Sequence, residues 1–317
     1  MIFMLKIALI GTWHVHFNGY AKQFAAREDC KITCLWDPDE ALGKAAAEKY
    51  GCDFVADYDA LLARDDVDAI AVCTSTDMHR DVMIKAAKAG KHIFTEKVLC
   101  FDIAEAEEIK AAVKESGVKF CISFPWRSRA DFQWIKKAVD DGLLGQITYM
   151  RMRNAHNGVS SHWLPDTFFD KKTCGGGAMM DLGAHSMYLL NWFLGKPVKG
   201  ASAFTNVFVK SVEDNAVTVM TYENGAIGVS ETGFVAENNP FELEISGLKG
   251  TLLGGGNEDK IRYNLGDGWV YPELGEGLKN PIDMFVDGIL YGGEICYTID
   301  DAYDLTATMR LAYDNIM

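Results

Sequence analysis

The chain has 317 residues, of which 49% are hydrophobic and 24% are charged. These values exclude extensive disorder, and at this length they favour two domains over one. The net charge of −14, from 31 basic and 45 acidic residues, argues against nucleic acid or an anionic membrane surface as the main partner.

The first 124 residues alternate buried strands with amphipathic helices. The helices end in glycine, as at Gly51 and Gly117, and Asp102 with Glu105 matches a capping box. Short continuous apolar runs are typical of parallel strands covered by helices on both faces. These runs are KIALIG, ITCLWD, DAIAVCTS, HIFTEK and KFCISF. The order predicts a doubly wound, Rossmann-type α/β domain over residues 1–124.

From Pro125 onward the pattern becomes α+β. FQWIKKAVDDGLLG predicts a helix, and ITYMRMRNA predicts a strand. Later segments are rich in strand formers and are joined by turns such as Asn224-Gly225. They predict a large, mostly antiparallel open sheet in a second domain over residues 125–317. Two helices follow, and the last is expected either in this domain or packed back on the first.

The cysteines and the amino-terminal stretch bear on the compartment. None of the eight cysteines forms a CxxC pair, and several lie in apolar runs, as expected for reduced core thiols. MIFMLKIALIG is too short to span a bilayer and has no signal-peptide cleavage pattern. We therefore expect a cytoplasmic protein without a membrane partner.

The first strand ends in a loop that partly matches a dinucleotide fingerprint. Such a fingerprint places glycine at positions 11, 13 and 16, but Trp13 and His16 occupy the last two. Gly11 still permits the tight turn, and backbone amides at the next helix can meet a phosphate. The predicted cofactor loop, wider than usual, comprises Gly11, Thr12, Trp13, His14 and His16.

Asp37 ends the second predicted strand, where an acidic residue typically binds the adenosine ribose. A carboxylate there repels a 2′-phosphate, so NAD is favoured over NADP. The same residue also suits a helix N-cap, followed by Pro38 at N1 and Glu40 at N3. The two roles are compatible.

Two further motifs carry ionisable groups. Glu96-Lys97 follows a predicted strand, at the sheet edge where doubly wound folds bind ligands. CGGGAMMDLGAHSMYLLNWFLG places Asp181 and His185 four residues apart, on one face of an apolar helix that follows three glycines. An acid/base pair lining a pocket and a structural Asp–His pair both fit this spacing.

Together these motifs resemble the Gfo/Idh/MocA family along essentially the whole chain. Thr74 to His79 is similar to the family's Thr-Pro-Asn-x-x-His loop, with Ser75-Thr76-Asp77 departing from its middle. AGKHIFTEKV is similar to AGKHVxxEKP, with Val98 in place of proline, which is expected to alter the lysine loop. GGGAMMDLGAHSMYLL is similar to GGGxLxDxGxHxxD, with Tyr188 in place of the final aspartate.

The resemblance implies an NAD(P)-dependent oxidoreductase that acts on CH–OH groups of a sugar, inositol or related polyol. It implies Lys97, Asp181 and His185 as the catalytic set, and Glu96 near the nicotinamide ribose. The further cofactor-binding residues that it implies are Thr74, Ser75 and His79, with Lys97. Family members commonly form dimers or tetramers, and the β-rich half has more apolar strand surface than its helices can cover. We therefore expect a homodimer or homotetramer formed through this sheet.

The predicted roles follow from the chemistry of alcohol oxidation. His185 is a suitable acid or base near neutral pH. Lys97 can stabilise alkoxide character on the substrate oxygen, and Asp181 can orient His185 or contact a neighbouring hydroxyl. Two alternatives stay open: a glycoside-cleaving enzyme that uses NAD for transient oxidation, and a non-catalytic dinucleotide-binding regulator.

NAHNGVSSHWLPD precedes the glycines and suggests a polar wall with an aromatic platform for a polyol. The candidate substrate-binding residues are Arg127, His156, His162 and Trp163. A zinc site built from His156, His162, Asp181 and His185 has suitable ligand atoms but no tight ligand spacing, so no metal is expected.

Overall fold

A computed structural model describes residues 4–238, 241–255 and 260–317. The chain divides into two compact units. The first combines the residues up to Ser123 with Lys279–Tyr303, and the second combines Phe124–Leu278 with Asp304–Met317. Within the described residues, no helix has both the length and the apolar character needed to cross a membrane.

The first unit is built on a parallel sheet of six strands in the order β3-β2-β1-β4-β5-β6, the order of a Rossmann fold. Strands β1 and β4 are buried almost throughout, which explains their continuous apolar sequence. Its strands are β1 (Leu5–Ile10), β2 (Cys30–Trp36), β3 (Asp53–Phe54), β4 (Ala69–Val72), β5 (His92–Thr95) and β6 (Phe120–Ile122). Its first five helices are α1 (Phe17–Ala25), α2 (Glu40–Tyr50), α3 (Tyr58–Leu62), α4 (His79–Lys88) and α5 (Ile103–Ser116).

A later segment of the chain also belongs to this unit. Its helix α9 (Pro281–Leu290) is held by Arg27, whose guanidinium lies 2.7 Å from carboxylate oxygens of both Asp283 and Asp287. The N–H of Ile122 on β6 donates to the carbonyl of Tyr297, whose side chain is fully buried. The first unit therefore consists of two chain segments.

The second unit contains an eight-stranded sheet in the order β14-β13-β12-β11-β7-β10-β9-β8. Among the strands described for this sheet, only β7 and β10 pair in parallel, so the sheet is mostly antiparallel and the predicted fold class is confirmed. Its strands are β7 (Ile147–Ala155), β8 (Pro197–Thr205), β9 (Asn215–Tyr222), β10 (Ile227–Gly233), β11 (Glu242–Gly247), β12 (Gly250–Gly255), β13 (Arg262–Asn264) and β14 (Trp269–Val270). Helices α6 (Ala130–Asp140), α7 (Lys171–Cys174) and α8 (Ala184–Leu194) lie in this unit, and α10 spans Ile299–Asp314.

The two faces of this sheet differ in what covers them. Along β9, Ala216, Thr218 and Met220 are buried, because α8 and the turn before it pack on this side of the sheet. The alternate residues Val217 and Val219 are 37% and 42% exposed. The outer face at β9 is thus exposed among the described residues, and it carries these two valines between Asn215 and Thr221.

Candidate active site

The loop after β1 brings backbone close to the end of β4. Gly11 has φ +79°, and a Cβ at this position would lie 2.7 Å from Thr74 Cα, so only glycine fits. The hydroxyl oxygen of Thr74 is buried and has no hydrogen-bond partner among the described residues. A close backbone approach beside an unsatisfied hydroxyl fits a dinucleotide that hydrogen-bonds there.

Asp37 is buried at the carboxyl end of β2, next to this loop. Its Oδ2 accepts a hydrogen bond from the Thr12 hydroxyl at 2.7 Å, and its Oδ1 accepts from the N–H of Asp39 at 2.8 Å. The expected N-cap role of Asp37 is wrong, because Asp39 caps α2 by accepting from two backbone N–H groups. Each carboxylate oxygen of Asp37 keeps a second lone pair, so ribose hydroxyls can donate to it.

Glu96 directly follows β5 and is the centre of a buried cluster. Its Oε1 lies 2.5 Å from Nδ1 of His16 and also accepts from the hydroxyl of Tyr20, while Oε2 accepts from the Lys97 N–H at 2.8 Å. Burial alone would raise the pKa of Glu96, but the nearby His14, His16 and Lys97 hold it well below its ordinary value. Ionised Glu96 therefore links His16, which stands in place of the third glycine, to the segment after β5 that carries Lys97.

This cluster also has the composition of a metal site. Among the described residues, His14, His16 and Glu96 are the one group of three or more such side chains whose ligand atoms all lie within 4.8 Å. Nδ1 of His16 lies closer to Glu96 than in an ordinary hydrogen bond, and the Tyr20 hydroxyl and the Lys97 N–H also donate to this carboxylate. The zinc alternative named above does not form such a group in the described chain.

His79 holds two loops of the first unit together. Its Nδ1 lies 3.1 Å from the carbonyl oxygens of both Val98 and Leu99, and its Nε2 lies 3.3 Å from that of Thr74. Burial lowers the pKa of this imidazole. The ring thereby positions the Thr74 loop against the loop after Lys97, in which the Lys97–Val98 peptide bond is cis although proline is absent. Ser75 lies in the Thr74 loop, and its hydroxyl donates to the carboxylate of Asp77.

In the second unit, the glycines before the apolar helix pack against a buried carboxylate. Oε1 of Glu213 accepts hydrogen bonds from the N–H groups of Gly177 and Met179 and from the hydroxyl of Tyr313. A Cβ on Gly177 would lie 1.9 Å from the Glu213 carbonyl oxygen, and one on Gly176 would lie 2.0 Å from the Tyr313 hydroxyl. The glycines are thus required by packing inside this unit.

The helix that carries Asp181 and His185 is not regular. Residues Met179–Gly183 form a π-helical turn, and α8 begins only at Ala184. Such turns are rare in proteins, and those that occur often lie at functional sites. His185 is buried and its ring stacks on Trp126, with centroids 5.0 Å apart and planes 17° apart. Its Nδ1 lies 3.1 Å from the hydroxyl oxygen of Tyr188.

The loop after β7 brings two of the predicted substrate residues together. His156 lies between Phe234, on which it stacks at 5.2 Å, and Trp163, whose centroid is 4.6 Å away. Trp163 is 54% exposed, so one aromatic surface of this cluster is open to solvent. His162 is exposed on the same loop, with φ +56°. Arg127 packs its guanidinium over the ring of Trp192, at 4.9 Å from the centroid.

Sequence reasoning missed four side chains that hold these groups in place. Tyr20 and Glu213 contact residues far away in the chain, so no local pattern pointed to them. Trp126 follows Pro125 in a short 3₁₀ turn and gave no motif. Tyr188 was noticed only as a departure from a family motif, although in the fold its hydroxyl lies next to the ring of His185.

Two family models match successive parts of the chain. Residues 5–124 match the oxidoreductase family with an NAD-binding Rossmann fold, and residues 132–253 match the GFO/IDH/MocA C-terminal domain. The chain is 26% identical over 313 residues to inositol 2-dehydrogenase of Rhizobium meliloti (strain 1021), covering 94% of this chain and 92% of that protein.

Solved structures show the same fold. GenD2 from gentamicin A biosynthesis, in complex with NAD, is 25% identical, with a TM-score of 0.84 over 99% of this chain and 95% of that one. Levoglucosan dehydrogenase, in complex with NADH and levoglucosan, has a TM-score of 0.85 at 21% identity, over 98% of this chain and 96% of that one. The chain is an NAD-binding oxidoreductase of the Gfo/Idh/MocA family.

Proposed function

We propose that the protein transfers a hydride between NAD and a CH–OH group of a sugar, inositol or related polyol. The observation that carries the proposal is the buried, ring-stacked imidazole of His185 in a chain whose first unit is NAD-binding. A histidine side chain can serve as the acid or base that alcohol oxidation requires. The name of the inositol 2-dehydrogenase relative supports the substrate class.

In the direction of oxidation, the substrate loses a hydride from carbon and a proton from oxygen. NAD, when bound, supplies the hydride acceptor. We propose that His185 takes the hydroxyl proton and that the Lys97 ammonium donates a hydrogen bond to the same oxygen, which lowers the energy of its alkoxide character. In this scheme Asp181 orients His185 or binds a neighbouring hydroxyl of the substrate.

Residues of the first unit would hold the cofactor by distinct chemistry. The carboxylate of Asp37 would accept from the adenosine ribose hydroxyls, and it would repel a 2′-phosphate. The amino-terminal end of α1, which follows the loop of Trp13, His14 and His16, would face the pyrophosphate. The N–H groups of His14 and His16 themselves already donate, to the Cys73 carbonyl and to Nδ1 of His14. The unsatisfied Thr74 hydroxyl gives a further donor and acceptor.

For substrate binding, we propose that the exposed face of Trp163 packs against the apolar face of a sugar or polyol. The indole N–H donates to Asn157 at 3.0 Å, which fixes the ring orientation. His156 supports the indole from the other side of the cluster. Arg127 and His162 are proposed as polar partners of the hydroxyl groups.

We also propose a homodimer or homotetramer formed through the outer face of the eight-stranded sheet. On β10, Val229 lies opposite Val219, and Ile227, which is 41% exposed, lies opposite Thr221, so apolar side chains of this face cross two strands. Eight free thiols support a reducing compartment such as the cytoplasm.

A screen of sugars, inositols and other polyols with NAD or NADP, followed by the nicotinamide absorbance, tests the proposed function. Steady NADH formation with at least one polyol is the expected result. Cleavage of a glycoside without net NADH would instead support the glycosidase alternative. A protein that binds NADH but turns over nothing in the screen would support the regulatory alternative.

A further inference from the structure

The exposed indole of Trp163 is linked through one asparagine to a carboxylate from another part of the second unit. Its Nε1–H donates to Oδ1 of Asn157 at 3.0 Å. Nδ2 of the same Asn157 donates to Oε2 of Glu237 at 2.8 Å. The side chain of Asn157 therefore connects Glu237, in the segment between β10 and β11, to the indole that is proposed to pack against the substrate.

The two partners of the Asn157 amide fix its orientation. The indole N–H can only donate, so it needs the oxygen of the amide. An ionised carboxylate can only accept, so it needs the NH₂ group. Hydrogen bonds from Asn157, Ser160 and Ser161 hold the pKa of Glu237 below its ordinary value, so this carboxylate is ionised at neutral pH. Turning the amide by half a rotation would break both contacts at once.

Glu237 also holds the middle of the loop that carries the indole. Its Oε1 accepts hydrogen bonds from the hydroxyl groups of Ser160 and Ser161, at 2.9 and 3.2 Å. The loop has a separate backbone attachment, because the N–H of Val159 donates to the Phe234 carbonyl. Removing the carboxylate should therefore release the side chains around the indole while the backbone attachment of the loop stays in place.

We infer that Glu237 is a positioning residue that holds the Trp163 indole, through Asn157, in the orientation that the ring presents to substrate. The inference rests on the proposed function, in which this indole packs against a sugar or polyol. A ring that is already held in place loses little conformational freedom when the substrate binds. Glu237 thus acts on the affinity for substrate and leaves the hydride-transfer step unchanged.

Spectra of the indole groups test the positioning without substrate. In ¹H–¹⁵N spectra of ¹⁵N-tryptophan-labelled protein, the signal lost in Trp163→Ala identifies the Nε1–H of Trp163 among the seven tryptophans. In Glu237→Ala this signal should move, and its heteronuclear NOE should fall toward that of a mobile group. Glu237→Gln should keep both near the wild type. Its amide oxygen can accept from Asn157, and its NH₂ group can donate to the serine hydroxyls.

Kinetics with a polyol found in the screen tests the consequence for binding. Glu237→Ala should raise KM about 2- to 10-fold, the range expected for re-ordering one side chain on binding, and leave kcat within about twofold of the wild type. The same change made in Trp163→Ala should alter KM by less than about 1.5-fold, because the indole that it positions is absent. Glu223→Ala removes an exposed carboxylate of the same unit, and as the matched control it should change neither the indole signal nor KM.

An unchanged Trp163 signal in Glu237→Ala would overturn the inference, and so would an equal effect of this change on KM with and without the indole. A glutamine variant that behaves like the alanine variant would overturn the hydrogen-bond route through Asn157. The proposed function fails in a different way: no polyol is turned over, or Trp163→Ala leaves KM unchanged, while the indole signal still responds to Glu237→Ala.

Discussion

Removing the carboxylate of Glu213 should loosen the start of the helix that carries Asp181 and His185. In Glu213→Ala, the N–H groups of Gly177 and Met179 lose their acceptor in a buried position. Each such loss costs about 1–3 kcal/mol, so the free energy of unfolding should fall by about 2–6 kcal/mol. That is a large part of the roughly 5–15 kcal/mol typical of folded proteins. Urea unfolding measured by fluorescence and circular dichroism gives the value.

Glu213→Gln separates the hydrogen bonds from the charge. The amide oxygen still accepts from the same donors, so the loss at neutral pH should be much smaller than for alanine. Burial raises the pKa of Glu213, against the lowering effect of Tyr313 and the backbone N–H groups. Because the pKa of Glu213 is raised in the folded protein, its contribution to stability is fully present below the usual glutamate pKa of about 4.3. This contribution is lost as the pH rises through the pKa of Glu213 in the folded protein. The glutamine variant should therefore gain stability relative to the wild type as the pH rises through that window.

Glu223→Gln, at an exposed position in the same unit, is the control for the loss of one charge. It should change the free energy of unfolding by less than about 0.5 kcal/mol at every pH. The reasoning is refuted if Glu213→Ala unfolds like the wild type, or if the difference between Glu213→Gln and wild type has the opposite slope with pH.

Three further predictions concern the cofactor, the assembly and the substrate. Asp37→Ala should weaken NADH binding and reduce the difference in affinity between NADH and NADPH, as measured by fluorescence titration. Equal affinities of the wild type for the two cofactors would contradict the role of the carboxylate. Val219→Arg places a charge on the exposed face of β9, so the mass measured by light scattering should shift toward that of the monomer. A wild type that is already monomeric at micromolar concentration would rule out the proposed interface. Trp163→Ala should raise KM for the polyol with little change in kcat, and an unchanged KM would remove the indole from the substrate site.

Elements with a strong burial signal could be predicted from the sequence. Strands β1 and β4 are buried on both faces, so their continuous apolar runs identified them, and β9 alternates because one face is covered. Strand β8 has an irregular, mostly exposed pattern, and β3 has two residues; neither gives a periodic signal. Local capping preference pointed to Asp37, but the side chain of Asp39 makes the capping bonds.

Residues of the candidate site could be predicted only where they lie in a sequence motif. Lys97, Asp181 and His185 lie in recognisable segments, whereas several contacts that hold these segments come from distant residues. Glu96 bonds Tyr20, 76 positions away, and Gly177 bonds Glu213, 36 positions away. The π-helical turn at Met179–Gly183 was also not predicted, because the sequence pattern indicated a regular helix there.

The central claim is that His185 performs proton transfer during hydride transfer to NAD. It is tested most directly by the turnover of His185→Asn with a polyol found in the screen, beside its melting temperature and NADH affinity. The account predicts a variant that melts near the wild type, binds NADH normally, and loses about 10²–10⁴-fold in kcat, with no rescue by more substrate. A folded His185→Asn enzyme that turns over within about threefold of the wild type would contradict it.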